Sequence, residues 1–151
     1  MSQSVSVRAA TSADLPAVTA LFRGYLDFYR VAVEDGSRPE QFLKERLENG
    51  DSLILLAETG TGPIGFAQIY PTFSSLSMGR VWTLNDLYVE ASGRRCGAGR
   101  ALVRACVERA RAAGAVGIHL ETAHDNADAQ ALYEGEGFEP DAFAAYFLAL
   151  G

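Results

Sequence analysis

Val5, Val7 and Ala9 alternate with polar residues and predict a short edge strand. Thr11-Ser12-Ala13-Asp14 reads as a helix start, since a hydroxyl and a carboxylate three residues apart can satisfy the first N–H groups of a helix. Leu15, Val18, Leu21, Phe22, Tyr25 and Phe28 then recur at helical spacing. Glu34 to Pro39 breaks that pattern, and Phe42, Leu43, Arg46 and Leu47 form a second, shorter helix stopped by Asn49-Gly50. Ser52 to Glu58 and Ile64 to Tyr70 are strand-like runs joined by the turn Thr59 to Pro63, which predicts an antiparallel hairpin. Pro71 to Gly79 is a polar loop, and Val81 to Glu90 is the central strand. Leu102, Val103, Cys106, Val107 and Ala110 give the next helix its buried stripe, and Gly114 ends it. Val116 to Thr122, an apolar run after a helix, predicts a strand parallel to the central one through a right-handed crossover. Asp125-Asn126 caps a fourth helix carrying Ala129, Leu132 and Tyr133, and Phe143 to Leu150 predicts the last strand.

With 151 residues and 48% hydrophobic composition, this α/β pattern fits one globular domain over residues 1–151, without repeat or linker. No apolar run approaches the ~18 residues of a membrane span. Met1-Ser2-Gln3-Ser4 runs straight into the alternating segment, so no signal peptide is expected and the expected location is the cytoplasm. Cys96 and Cys106 have no Cys or His partners at metal spacing, so no metal site is expected. A net charge of −6 argues against nucleic acid as a partner, because backbone phosphates need a basic face. The charge is unevenly placed. Arg94, Arg95, Arg100, Arg104, Arg109 and Arg111 crowd one segment, while Ala112 to Gly151 holds no Lys or Arg, which suggests an anionic ligand at one place and a cationic one at another.

The arginine-rich segment Arg94-Arg95-Cys96-Gly97-Ala98-Gly99-Arg100-Ala101-Leu102 joins the central strand to a helix, and reads as an anion cradle. Gly97 and Gly99 would allow positive φ and close approach, so that N–H groups at the helix start can face a phosphate cluster. It is not a P-loop, because Arg100-Ala101 stands where Lys and Ser or Thr are needed. Nor is it a dinucleotide fingerprint, because Leu102 replaces the third glycine. The pattern Arg94-x-x-Gly97-x-Gly99 resembles the pyrophosphate loop of the GNAT superfamily of acyl-CoA N-acyltransferases. Leu87-Tyr88-Val89, Glu121-Thr122-Ala123 leading to Asn126, Leu132-Tyr133-Glu134 and Gly137-Phe138 extend the resemblance over nearly the whole chain.

That resemblance implies a GNAT fold: a mixed twisted sheet with about four helices, whose central parallel strands splay apart to admit acetyl-CoA as co-substrate. Leu87, Tyr88 and Val89 would lie along the pantetheine arm, with the backbone of Leu87 and Val89 pairing with it like an added strand. Arg94, Arg95, Cys96, Gly97, Ala98, Gly99 and Arg100 would enclose the pyrophosphate. Asn126 resembles the residue that helps hold the pantetheine, although a plain helix cap would need no such role. Tyr133 resembles the tyrosine that protonates the leaving thiolate, with a packed helix tyrosine as the alternative. Asp86 is the leading candidate for the base that deprotonates an ammonium through water, with a structural hydrogen-bond acceptor as the alternative, and Glu90 is a poorer one. His119 and His124 read as structural.

Leu84 to Val89 is also similar to the corresponding strand of spermidine/spermine acetyltransferases, with Asn85 where that branch has a second acid. The expected activity is therefore direct acetyl transfer to a primary amine, most readily a small cationic one. A protein or peptide amine as acceptor stays open, as does a non-catalytic acyl-CoA sensor. A carboxylate-bearing acceptor would need a compensating arginine, for which Arg80 is the candidate. The expected partners are the small-molecule amine and, as an option, a second copy of the chain in a homodimer.

Overall fold

The computed structural model describes residues 4–151, so Met1 to Gln3, part of the opening read above, lie outside it. Two compact units are present, one ending at Glu121 and the other running from Thr122 to Gly151.

In the first unit β1 (Ser6–Ala9), β2 (Leu53–Thr59), β3 (Gly62–Tyr70) and β5 (Gly79–Val89) pair antiparallel in that order. The two-residue β4 (Phe73–Ser74) folds back onto Gly79 and Arg80, inside the segment expected to be loop. β6 (Gly117–Leu120) joins β5 in parallel, as a strand following the crossover helix α3 (Ala98–Ala112) should.

The capping box that the sequence signals opens a 3-10 turn (Ser12–Asp14), the Asp14 carboxylate accepting the Thr11 N–H at 2.7 Å, and helix α1 (Leu15–Phe28) follows directly. Helix α2 (Arg38–Asn49) begins earlier than its apolar spacing suggests, because Pro39 falls in its first turn, where a missing N–H costs nothing. Gly50 ends it at φ 63°.

Residues paired directly across a sheet share a face, so the register sorts the core into two layers. Ile54, Leu56 and Phe66 bury against Val18 and Leu21 of α1 and Leu43 of α2, with Tyr88 packed alongside. Leu55, Ala57, Ala67 and Ile69 line the opposite face, where α3 packs with Leu102, Val103, Cys106 and Ala110 buried. Burial pushes the Cys106 thiol up to about 12, so it behaves there as a small apolar group.

In the second unit α4 (Ala127–Gly135) is capped by Asn126, whose side-chain oxygen accepts the Ala129 N–H at 3.2 Å. The expected last strand does not form. Phe143 to Leu150 is unpaired, with Tyr146 and Phe147 more than nine-tenths exposed. An apolar run becomes a strand only when a neighbour takes up its backbone N–H and C=O groups. Within Thr122–Gly151 the sole regular element among the described residues is a helix, whose backbone is already satisfied.

Candidate active site

β5 changes partners halfway along its length. Its parallel pairing with β6 runs from Val81 to Leu84, and among the described residues no strand lies on that edge from Asn85 to Val89. β3 continues on the other edge to Val89, but with a bulge: Ile69 pairs with Leu84 and Gln68 with Asp86, leaving Asn85 as the extra residue. Ile69 and Gln68 are consecutive and face opposite sides of the sheet. Their partners Leu84 and Asp86 therefore also face opposite sides, although two residues apart in a strand normally share one. The bulge thus turns Asp86 away from the α3 layer and onto the face covered by α1 and α2.

Asp86 is 4% exposed, and its carboxylate is held by the side chains of Gln68, Asn85 and Tyr25. Gln68 Nε2 donates to Oδ2 at 2.7 Å, and Asn85 Nδ2 donates to Oδ1 at 2.8 Å. Ser52 Oγ donates to Gln68 Oε1 at 2.8 Å and so orients the amide. The Tyr25 hydroxyl donates to the Asn85 carbonyl at 3.3 Å, a group at the bulge where the ladder is interrupted. Burial pushes the Asp86 carboxyl above the usual carboxylate range, opposed by hydrogen bonds from Gln68, Asn85 and Tyr25. Tyr70 sits next along this face. Burial, reinforced by the Asp86 charge, pushes its phenol up to about 12, so it remains an O–H donor at neutral pH. Thr83 pairs with both Tyr70 and His119, which puts the His119 position on the same face.

The open edge of β5 has its own order. Glu90 N–H bonds to the Ile64 carbonyl at 2.9 Å, so by alternation Tyr88 directs its backbone groups to β3, while Leu87 and Val89 direct theirs to the unpaired edge. The Tyr88 ring lies edge-on to Tyr25 at 6.5 Å and under Gly24, where an added Cβ would stand 2.6 Å from its hydroxyl oxygen. Of the three residues, only Leu87 and Val89 thus offer polar backbone atoms to a ligand along the edge, and the Val89 carbonyl accepts from Arg94 Nε at 3.0 Å.

After β5, Ala91–Gly93 make a single 3-10 turn and the chain enters the glycine-rich segment. Arg94 is extended, with its guanidinium 5.9 Å from the Phe28 ring centre. The left-handed positions are Arg95 (φ 67°) and Gly97 (φ 85°). Gly99, expected to be one of them, instead occupies the second position of α3 and has no positive φ. Cys96 Sγ donates to the Gly93 carbonyl at 2.7 Å, a local role within the turn. The first N–H taken up by the helix is that of Ala101, on the Gly97 carbonyl at 3.0 Å. The N–H groups of Ala98 and Gly99 therefore precede the ladder, and Arg94, Arg95 and Arg100 stand exposed around them. This arrangement fits an anionic phosphate group.

Between α1, α2 and their connection lies a groove of about 560 Å³ walled by Phe22, Leu26, Val33 and Phe42, with Glu34, Asp35 and Arg38 as its charged lining. Ser37 donates to Asp35 through N–H (2.9 Å) and Oγ (2.7 Å), which lowers its pKa and keeps it ionised. Arg80, by contrast, falls with Trp82 and Leu84 in the alternation, on the face opposite Asp86, its guanidinium 5.1 Å over the Phe73 ring. In the second unit the Tyr133 ring packs edge-on against Phe138 at 5.9 Å. Ser52, Tyr25, Gln68 and Tyr70 are absent from the sequence reading of the site. Only Gln68 carried a signal, as a lone amide inside the apolar run Ile64 to Tyr70.

Comparison with known proteins agrees with this geometry. Residues 18–138 match the model of the Acetyltransferase (GNAT) family. The chain is 46% identical over 145 residues to an uncharacterized N-acetyltransferase of Bacillus subtilis, YhfO, covering 95% of this chain and 97% of that protein. It is 28% identical over 144 residues to the D-amino-acid N-acetyltransferase HPA3 of Saccharomyces cerevisiae, covering 91% and 86%. A crystal structure of a probable acetyltransferase superposes with a TM-score of 0.88 at 36% identity, covering 97% of this chain and 98% of that one.

Proposed function

The chain belongs to the GNAT acetyltransferase family and is an acetyl-transferring enzyme, and from that premise we propose that it moves an acetyl group from acetyl-CoA directly to a small cationic primary amine. The observation that carries this reading is Asp86, a buried carboxylate two residues past the point where β6 parts from β5. The loop Arg94 to Arg100 and the start of α3 would hold the pyrophosphate, and the Leu87 and Val89 backbone the pantetheine, with Asn126 as a further contact. The thioester supplies the acetyl group.

An amine with a reference pKa near 10.4 arrives protonated and must shed that proton before its lone pair can attack. Asp86 takes it, directly or through a water, and burial suits it to the task by bringing its pKa nearer the working pH. The N–C bond then forms, the C–S bond breaks, Tyr133 gives its hydroxyl proton to the departing thiolate, and the second proton that the nitrogen loses as the amide forms passes through water to restore the Tyr133 hydroxyl. The apolar groove, in whose charged lining Glu34 and an ionised Asp35 outnumber Arg38, favours a cation with an alkyl body. An acceptor bearing its own carboxylate is the second reading, favoured by the name of the yeast relative. Against it stands the position of Arg80, on the face of β5 away from Asp86.

The test is an amine panel read by CoA release, comparing kcat/KM for spermidine, a lysine-like diamine and an acidic amino acid. Diamines should lead, and preference for the acidic amino acid would overturn the cationic acceptor. Tyr133→Phe should lower turnover about a hundredfold or more while acetyl-CoA affinity is retained. A fall smaller than about twofold would remove Tyr133 from the chemistry.

A further inference from the structure

We propose that Ser52 and Gln68 are positioning residues for Asp86: they clamp its Oδ2 and leave Oδ1 as the oxygen that receives the acceptor's proton. The proposal rests on the reading of Asp86 as the base.

Gln68 is fully buried in the middle of β3, a place where an apolar side chain would pack without needing partners. Both ends of its amide are used. Its Nε2 meets Asp86 Oδ2 at 2.7 Å, and its Oε1 takes the Ser52 hydroxyl at 2.8 Å. Turning the amide over would set Oε1 against an ionised carboxylate oxygen, so the orientation follows from the two partners. Oδ2 is thereby tied to the rigid centre of the sheet. Oδ1 is different, since the amide that donates to it belongs to Asn85, the exposed residue of the bulge, while the Tyr25 hydroxyl that also bonds the carboxylate is shared with the Asn85 carbonyl. That amide can swing aside, whereas Gln68 has no room to do so. The two oxygens of one carboxylate are thus divided between an anchored and an exchanging role. A charge-stabilising donor on Oδ2 also keeps Asp86 ionised against its burial.

The experiment is the pH dependence of kcat/KM with a diamine acceptor. The groups facing Asp86 are Tyr25 from α1, Tyr70 from β3, Tyr88 from β5 and, through its pairing with Thr83, His119 from β6. Measurements are therefore made in a His119→Gln background. Gln68→Met keeps the length of the side chain and removes the donor. Its acid limb should move up by about 1–2 pH units, the loss expected for one hydrogen bond to a charged group. Ser52→Ala should shift it the same way by less, and acetyl-CoA affinity should stay constant in both. If Gln68→Met does not fold, the half-buried Ser52→Ala carries the test by itself.

An unmoved limb in the folded variants, with the limb lost in Asp86→Asn, overturns the positioning role and leaves the base standing. A limb that survives in Asp86→Asn overturns the base, and the positioning role with it.

Discussion

At Thr83 and Leu84, β5 has β3 on one edge and β6 on the other, and Trp82 and Leu84 go into the layer beneath α3; beyond Asn85, among the described residues, it keeps β3 alone and sends Asp86 and Tyr88 to the other face. The two halves are a continuous strand of similar composition, and the single unmatched residue between them separates scaffold from candidate site. In the first half Trp82 and Leu84 are buried, and Thr83 and Leu84 have a paired residue on both sides. In the second, among the described residues one edge has no neighbouring strand at Leu87 and Val89, and a carboxylate is buried where the flanking sheet holds amides and a hydroxyl in place of methyl groups. A rigid half thus supports a half with one open edge, an arrangement suited to holding a ligand in one geometry.

Removing the carboxylate beyond the boundary should have the largest effect: Asp86→Asn is expected to lose about 10²–10⁴ in kcat/KM with unchanged acetyl-CoA affinity by calorimetry. Its pH profile has a definite sign. Asp86 must be ionised to accept a proton and its pKa is raised, so wild-type activity should fall with decreasing pH from above the usual carboxylate range, and this limb should vanish in the variant. The smallest effect belongs to the first half. Trp82 is 8% exposed and its indole N–H, buried, has no partner among the described residues. In Trp82→Phe the relief of that orphaned donor offsets part of the lost packing, so stability should change by about 1 kcal/mol or less. Thermal denaturation reads the first and steady-state kinetics should read no change in kcat. A kinetic defect as large as that of Asp86→Asn would erase the distinction between the halves.

Much of this molecule is local in origin and could be read residue by residue. The capping pair Thr11 and Asp14, the stop at Gly50, the Asn126 cap and the left-handed Gly97 depend on neighbours within a few positions, and all appear where the chain signals them. The family was legible from the glycine and arginine spacing before α3 taken together with Leu87-Tyr88-Val89, Glu121 to Asn126, Leu132-Tyr133-Glu134 and Gly137-Phe138, because each of these patterns is a property of a short stretch of sequence. What depended on pairing was not legible. Alternation places Leu84, Asp86 and Arg80 on one face, and only the register with β3, which skips Asn85, shows that Asp86 leaves it and Arg80 does not. Ser52 and Gln68 are 16 residues apart and Gln68 and Asp86 are 18 apart, so no local pattern links them. Phe143 to Leu150 has the composition of a strand and none of the pairing. Helices and caps satisfy their hydrogen bonds within a few residues, whereas a strand's face, its register and the partners of a buried charge are set by segments distant in sequence. Those were decided only when the chain folded.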